Sequence, residues 1–333
     1  MILLSIIIPA YNASDHIKAC LESIIFNTNV DENDIEIVII NDGSTDDTEN
    51  KIKFLIKEHA TFNIQYKYQE NKGASAARNN GISSAQGVFV WFVDADDVIA
   101  NCAIEELTQV IENNDDNIDL IRIGNCNRGM LYNDDSVLDS YSCIPNNDKA
   151  RIIDAYELLD PIYRNGHTMF ILRRDFLLKN NLMYPENMTF NEDYHFLVNV
   201  LLKADKAYMN LSYDFYIIRE NIHSVSRSSW TYIKQEKFIE DQIIHIEFLL
   251  KLLDGSEIER NKKELLGKYF DSYLIYILFS RIRLKTQFSL TYYFLKKIDS
   301  MNAKFSHSNT FKGYILKNKI SYFFIWIYYK FFK

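Results

Sequence analysis

A chain of 333 residues with 47% apolar and 25% charged side chains has enough material for a sizeable core, which excludes both a disordered polymer and a polytopic membrane protein. The formal charge of −8 excludes general attraction to nucleic acid phosphates, which needs a basic face. Cys20, Cys102, Cys126 and Cys143 form no C-x-x-C pair and have no histidine cluster nearby, so neither a zinc site nor a disulfide framework is expected, and a reducing cytoplasm is the simplest setting.

The N-terminal run Leu3 to Ile8 has no basic lead and meets Pro9 and Asn12 almost at once, so it reads as a buried first strand and not as a signal peptide. Residues 2–8, 35–40, 64–68, 88–93 and 118–123 are short apolar runs rich in β-branched residues and are expected to be strands. Helical spacing separates them. Ile17, Leu21, Ile24 and Ile25 follow the capping candidates Asn12 and Ser14, and similar patterns cover about 45–58, 73–84 and 101–113. Buried strands alternating with helices predict a mostly parallel sheet covered on both faces, with ligands gathered at the carboxyl ends of its strands.

From about 125 to 165 the pattern weakens into loop rich in Asn, Asp and Ser, and a strand at 167–173 and a helix from Glu192 restore it. After Trp230 long amphipathic helices are expected at roughly 231–253, 257–284 and 288–298, with Asp254 and Gly255 marking a break. A boundary near 230 therefore divides the chain into 1–230, itself halved at 123/124, and a helical region at 231–333.

Chemistry concentrates where strands are expected to end. Asp94-Ala95-Asp96-Asp97 follows the apolar run Val88 to Val93, and two carboxylates one residue apart can share a hard divalent cation with diphosphate oxygens. The plainer reading is that these acids cap a following helix. The second strand ends in Asn41-Asp42-Gly43-Ser44-Thr45-Asp46-Asp47 and the first in Pro9-Ala10-Tyr11-Asn12. Tyr11 offers a face for stacking on a base and Asp42 an acceptor for its N–H, although Asn-Asp-Gly-Ser is also ordinary turn chemistry. Asn71-Lys72-Gly73-Ala74-Ser75-Ala76-Ala77-Arg78 puts an arginine on the first turns of a helix after strand three. That suits an anionic ligand, or else an arginine facing solvent on a tightly packed helix.

Taken together, SIIIPAYNA at 5–13, NDGSTDDT at 41–48, NKGASAARNNGI at 71–82 and FVDADD at 92–97 resemble family 2 of the glycosyltransferases, inverting enzymes with the GT-A fold. The resemblance covers the first 100 residues well and reaches about residue 227 through weaker motifs. It implies an α/β GT-A nucleotide-diphospho-sugar transferase fold, with nucleotide-sugar binding in 1–123 and acceptor binding in 124–230. Tyr11 and Asp42 would contact the nucleobase, with Pro9 shaping the pocket, and Gly73 and Arg78 would lie near the nucleotide. Asp94 would approach the ribose or the metal, Ala95 would belong to the nucleotide-sugar site, and Asp96 would bind Mn²⁺ or Mg²⁺ directly. Asn191-Glu192-Asp193 looks like the family's Glu-Asp motif, though Gly often stands where Asn191 does. Asp193 is then the expected base, while spacing alone leaves Glu192 open. In the segment 219–227, His223 would complete the metal shell and Arg219, Ser226 and Arg227 would hold the diphosphate.

The implied reaction moves a sugar from a UDP-sugar to a hydroxyl of a glycan, expected to be a lipid-linked intermediate of capsule, O-antigen or related surface polysaccharide. Residues 300–333 carry six lysines and no acid, and 320–333 contains eight aromatics. The uncharged run Ile320 to Tyr329 has ten residues, against roughly 20 for a spanning helix. Residues 314–333 are therefore expected to touch an anionic membrane from its inner face, or to pack on the preceding helices or form a homodimer contact. Two other classes stand behind this reading. A sugar-nucleotide nucleotidyltransferase would open with a glycine-rich basic loop after strand one, where Pro9-Ala10-Tyr11-Asn12 stands. A silent glycan-binding protein would lack Asp94, Asp96 and Asp193.

Overall fold

The structure is a computed structural model. It describes residues 1–27, 31–114, 118–124, 150–163, 166–212, 215–219, 221 and 229–283, with 275 and 278–283 by backbone only, and the helical residues 289–290, 293–294 and 296–297. Contacts divide the chain into two units. The first comprises Met1–Ala155, Arg164–Asn187 and Glu192–Arg227, and the second Tyr156–Tyr163, Met188–Asn191 and Ser228–Lys333.

The first unit is built on one eight-stranded sheet. Its strands are β1 (Leu4–Ala10), β2 (Ile35–Asp42), β3 (Ile64–Gln69), β4 (Phe89–Phe92), β6 (Leu120–Ile123), β7 (Arg151–Asp154), β8 (Phe170–Arg173) and β9 (Lys206–Asn210), in the order β3-β2-β1-β4-β8-β6-β9-β7. The block β3-β2-β1-β4 is parallel throughout, as is β6 with β9, while β8 runs antiparallel to both β4 and β6, and β7 to β9. A separate pair joins β5 (Val98–Ile99) to β10 (Tyr216–Ile217), antiparallel. Every residue of β2 and β4 is buried, and so is all of β1 except half-buried Pro9. Such continuous apolar runs are what strands covered on both faces require.

Helices α1 (Ile17–Ile25), α2 (Thr48–Glu58), α3 (Ala74–Ser84) and α4 (Ala103–Asn114) follow β1, β2, β3 and β5 in turn. From β1 the chain steps outward to β2 and β3, then returns to place β4 on β1's other side. The strand order therefore reverses at β1, and sheets of this kind take their ligands at such a point, here the carboxyl ends of β1 and β4. Beyond them lie α5 (Arg174–Lys179) and α6 (Glu192–Lys203).

Several local expectations change. Asn12 and Ser14 do not cap α1, which starts at Ile17 without a side-chain cap. Asn12 instead adopts φ 47°, and its Oδ1 accepts from the Thr45 amide at 2.8 Å. The strand expected at 167–173 begins with a 3-10 turn, His167–Met169, because the indole Nε1 of Trp91 holds the Thr168 carbonyl at 2.8 Å. The acids at 94–97 precede β5, not a helix, so the capping reading fails. Cys102 is disulfide-bonded, a pairing that spacing did not suggest. Residues 125–149 of the expected acceptor region lie outside the described residues.

An apolar pattern also conceals a polar lock. Glu36 of β2 is fully buried and accepts from Ser5 Oγ at 2.6 Å, Gln65 Nε2 at 2.7 Å and the Gly87 amide at 3.2 Å. It thereby ties three strands to the turn before β4, and these bonds make burial of a carboxylate tolerable. In the second unit, α7 (Tyr232–Asp254) and α8 (Arg260–Arg283) pack together. There Asp241 is fully buried and accepts from the Thr189 and Phe190 amides at 2.9 and 3.0 Å, and from Lys237 Nζ at 2.7 Å.

Small residues in α3 allow the helix to lie close on the sheet. A Cβ added at Gly81 would stand 2.2 Å from Ile7 Cγ2 in β1. Gly81→Ala must push α3 off the strand, and overpacking of this kind costs about 1–3 kcal/mol. Denaturant unfolding should show that loss, and a variant as stable as the wild type would mean that the α3–β1 approach is looser than described.

Candidate active site

The loops at the ends of β1 and β2 are stitched together before any ligand arrives. The Asn12 amide donates to Ser44 Oγ at 3.0 Å, the Ala13 amide to Thr48 Oγ1 at 2.8 Å, and the Ser14 amide to Asp46 Oδ2 at 3.1 Å. Tyr11 stands out of this seam, 50% exposed, with its ring presented to solvent. Asp42 is only 3% exposed and accepts three bonds at 2.8 Å, from Gln69 Nε2 and from the amides of Lys72 and Gly73. A carboxylate has about four lone-pair sites, so Asp42 ties the end of β2 to the approach to α3 and keeps little accepting capacity for a base. Gly43 (φ 70°) and Gly73 (φ 90°) take conformations that glycine adopts without strain.

The charged centre lies beside this seam. Arg78 does not face solvent. It is 5% exposed, with Nη2 3.2 Å from Asp94 Oδ1, Nη1 3.2 Å from Glu192 Oε1 and its guanidinium 5.3 Å from the centre of the Tyr184 ring. Burial disfavours its charge, but Asp94 above all, with help from Glu192, raises its pKa overall. The same α3 helix that needs Gly81 for close packing thus carries the cation that joins the loop after β4 to the start of α6.

His167 forms a second link. It is buried, with Nε2 3.8 Å from Asp94 Oδ1 and Nδ1 3.8 Å from Asp193 Oδ2. Burial and Arg78 oppose a proton on this ring, but Asp193 and Asp94 prevail and raise its pKa. Burial likewise works against charge on Asp94, yet His167 and Arg78 hold its carboxyl well below the usual carboxylate range. Glu192 moves the other way, raised by burial and by the like charge of Asp193 against the pull of Arg78.

The loop carrying Asp94 to Asp97 is fixed from the opposite side by β10. The Tyr216 hydroxyl accepts from the Asp94 amide at 3.0 Å and donates to Asp97 Oδ2 at 2.8 Å, while the Arg219 amide donates to Asp97 Oδ1 at 2.9 Å. Burial, and then repulsion from Asp94 and Asp96, push the Asp97 carboxyl up to about 8. Asp96 Oδ2 accepts from Asn221 Nδ2 at 2.9 Å, and Ala95 between the acids is buried.

Of the residues expected from sequence, Arg78, Asp94, Glu192 and Asp193 are therefore brought into one cluster. Pro9, Tyr11, Asp42 and Gly73 belong to the adjoining strand ends, held by their own bonds. Arg219 reaches the loop through its backbone, whereas His223, Ser226 and Arg227 lie outside the described residues. Among the described residues no three His, Cys, Asp or Glu side chains converge as a metal cage. Asp94 and Asp96 remain hard oxygen donors of the type that Mg²⁺ and Mn²⁺ take, and substrate phosphates ordinarily supply further ligands.

Sequence reasoning missed His167, Tyr184 and Tyr216 and gave Asp97 no role of its own. A lone histidine before a strand has no partner at a readable spacing. Tyr216 sits in an apolar stretch, where its hydroxyl leaves no mark. Tyr216→Phe keeps the ring against Trp91, 6.3 Å between centres, and removes only the hydroxyl. It should cost about 1–3 kcal/mol, the penalty for buried polar groups left without a partner, read by chemical denaturation. Unchanged stability would show that the hydroxyl does not fasten the loop.

The sequence model of Glycosyl transferase family 2 matches residues 5–186. A relative described as uncharacterized glycosyltransferase EpsJ, from Bacillus subtilis (strain 168), is 31% identical over 231 residues, covering 67% of this chain and 63% of its own length. The chain thus spans less than two thirds of that relative. The crystal structure of S. aureus TarS 1-349 in complex with UDP-GlcNAc superposes with a TM-score of 0.69 at 19% identity, covering 90% of this chain and 80% of that one. The mannosyltransferase PcManGT from Pyrobaculum calidifontis, in complex with GDP-Man and Mn²⁺, superposes with a TM-score of 0.56 at 13% identity, covering 99% and 87%. At such identities the likeness shows the fold, a GT-A-type arrangement with a mostly parallel central sheet flanked by helices.

Proposed function

The chain belongs to glycosyl transferase family 2, and from that premise we propose that it transfers a sugar from a UDP-sugar, with inversion, to a hydroxyl of a glycan acceptor. The observation that supports this most is the meeting of Asp94, after β4, with Glu192 and Asp193, at the start of α6, across Arg78 and His167. A buried cluster that joins two loops at a topological switch point is where an α/β sheet puts ligands. The UDP-GlcNAc complex of TarS and the GDP-Man complex of PcManGT supply the donor class by analogy.

In this reading Tyr11 offers its exposed face to the uracil, and Asp42 accepts at the base with the capacity that its three bonds leave. Pro9 and Gly73 shape the same rim, and Asp94 and Ala95 meet the ribose. Asp193 is the base. It takes the proton of the acceptor hydroxyl while that oxygen forms a bond to the anomeric carbon, and the carbon–oxygen bond to the diphosphate breaks with its electron pair on the departing UDP. Glu192 cannot serve equally, because its Oε1 is already engaged by Arg78. Asp94 and Asp96, with His223, would hold Mn²⁺ or Mg²⁺, and a bound cation there offsets the charge of the leaving diphosphate. Arg219, Ser226 and Arg227 would close on its oxygens.

Asp193→Asn keeps the shape of the side chain and removes its basicity. UDP release from a panel of UDP-sugars should fall by roughly 10²–10⁴-fold, while UDP affinity measured calorimetrically stays at the wild-type value. Turnover that survives the substitution would remove Asp193 from this role.

We further propose that the acceptor is a lipid-linked intermediate of surface polysaccharide synthesis and that the lysines and aromatics of 314–333 bring the protein to an anionic bilayer. These residues lie outside the described structure, and among the described residues no helix is long and apolar enough to cross a membrane. Aromatic rings and lysines side by side suit the headgroup region. Truncation after residue 313 should abolish sedimentation with phosphatidylglycerol vesicles while thermal unfolding of the remainder is retained. Equal sedimentation of both forms would discard the membrane role.

A further inference from the structure

We infer that His167 is a positioning residue for Asp193, setting the carboxylate of α6 at a fixed distance from the loop at Asp94. The inference deepens the reading above and rests on it. The two nitrogens of His167 face different carboxylates at equal distances, Nδ1 3.8 Å from Asp193 Oδ2 and Nε2 3.8 Å from Asp94 Oδ1. The ring is not free to choose other partners. It packs edge-on to Phe92 and Tyr184, 6.3 and 6.0 Å between centres. Tyr184 in turn stacks on Phe196, three residues after Asp193 in α6, at 3.9 Å with 15° between planes. The backbone is pinned next door by the bond from Trp91 to the Thr168 carbonyl.

Arg78 supplies the contrast. It joins the same two elements, but through Glu192, and among the described residues makes no ion pair with Asp193. His167 fills that place. A carboxylate in the first turn of a helix can rotate about two side-chain bonds, and misplacement of a reacting group by an ångström costs about 10²-fold in rate. A packed imidazole that reaches Asp193 from the floor of the cluster removes that freedom and turns one carboxylate oxygen inward. The 3.8 Å separations exceed hydrogen-bond length and lie within ion-pair reach. His167 touches neither sugar nor acceptor in this scheme and acts through Asp193.

The test compares His167→Phe, which keeps the ring against Phe92 and Tyr184 but has no nitrogen, and His167→Gln, which keeps a donor. Each is made alone and with Asp193→Asn. UDP release from UDP-GlcNAc, UDP-glucose and UDP-galactose with Mn²⁺ is measured, together with UDP affinity and thermal unfolding. His167→Phe should lose about tenfold or more in kcat with UDP affinity within about twofold of wild type. His167→Gln should recover part of the loss, and His167→Phe should cost nothing further once Asp193 is Asn. Wild-type kcat in His167→Phe, equal losses in kcat and UDP affinity, or full additivity with Asp193→Asn would overturn the inference. Should the wild type release no UDP from any donor, the proposed function fails, and the unfolding temperatures still decide the coupling. Losses for His167→Phe and Asp193→Asn that simply sum in the double variant overturn it, and a smaller combined loss supports it. Where His167→Phe does not fold, His167→Gln alone and in the cycle carries the same comparison.

Discussion

The arrangement depends on one buried cation. Arg78 has almost no contact with water and is held by carboxylates from two different parts of the chain, Asp94 after β4 and Glu192 at the start of α6. Taking a guanidinium out of water costs several kcal/mol, and only partners placed beforehand offset it. That demand runs in both directions. Without Arg78, Asp94 and Glu192 would share a low-dielectric site with Asp193 and repel one another. With it, the strand-end loop and the helix that the sequence separates by almost a hundred residues are drawn into one place.

The bonds around this centre follow a division of labour. At the ends of β1 and β2 the fastenings are short and mostly involve backbone amides: Asp42 to Lys72 and Gly73, Asn12 to Thr45, and the Ala13 and Ser14 amides to Thr48 and Asp46. Such bonds fix the shape of the rim, with neutral donors gathered around the Asp42 carboxylate. Around Arg78 the fastenings are ionic and run between side chains.

Much of this was legible in advance, for identifiable reasons. The parallel strands β1, β2 and β4 are buried on both faces, so they appear as mostly apolar runs, interrupted at Ser5 and Glu36. Asp94 and Asp42 stand next to such runs, and their positions at strand ends follow from the pattern, while Arg78 follows from the helical segment after β3. What stayed hidden were groups whose partners are distant in sequence and whose own residue type is ambiguous. Glu36 interrupts a strand pattern as a surface glutamate would, yet it lies at the centre of a polar lock because Ser5, Gln65 and Gly87 converge on it from elsewhere. Tyr216 and His167 are hidden in the same way. Asn12 misled for a different reason, since an asparagine before a helical pattern is as good a cap as it is a turn residue, and here the second use wins through its bond to Thr45.

The proposed choice of Asp193 over Glu192 as the base rests on which carboxylate is already engaged. Adjacent residues on a helix point about 100° apart, so one carboxylate can turn into the cluster while its neighbour meets another face. Glu192 is the one turned inward, with 15% of its side chain exposed and an oxygen on Arg78, and burial together with the charge of Asp193 raises its pKa. A raised pKa would ordinarily favour a base. Protonating Glu192 would, however, break the pairing that keeps Arg78 buried, so the proton would be gained at the expense of the cluster itself. Asp193 has 25% of its side chain exposed and no bond to Arg78, so it can accept a proton without dismantling the link between the two halves of the site. On the proposed reading Glu192 holds the architecture together through Arg78, and Asp193 is left to act as the base.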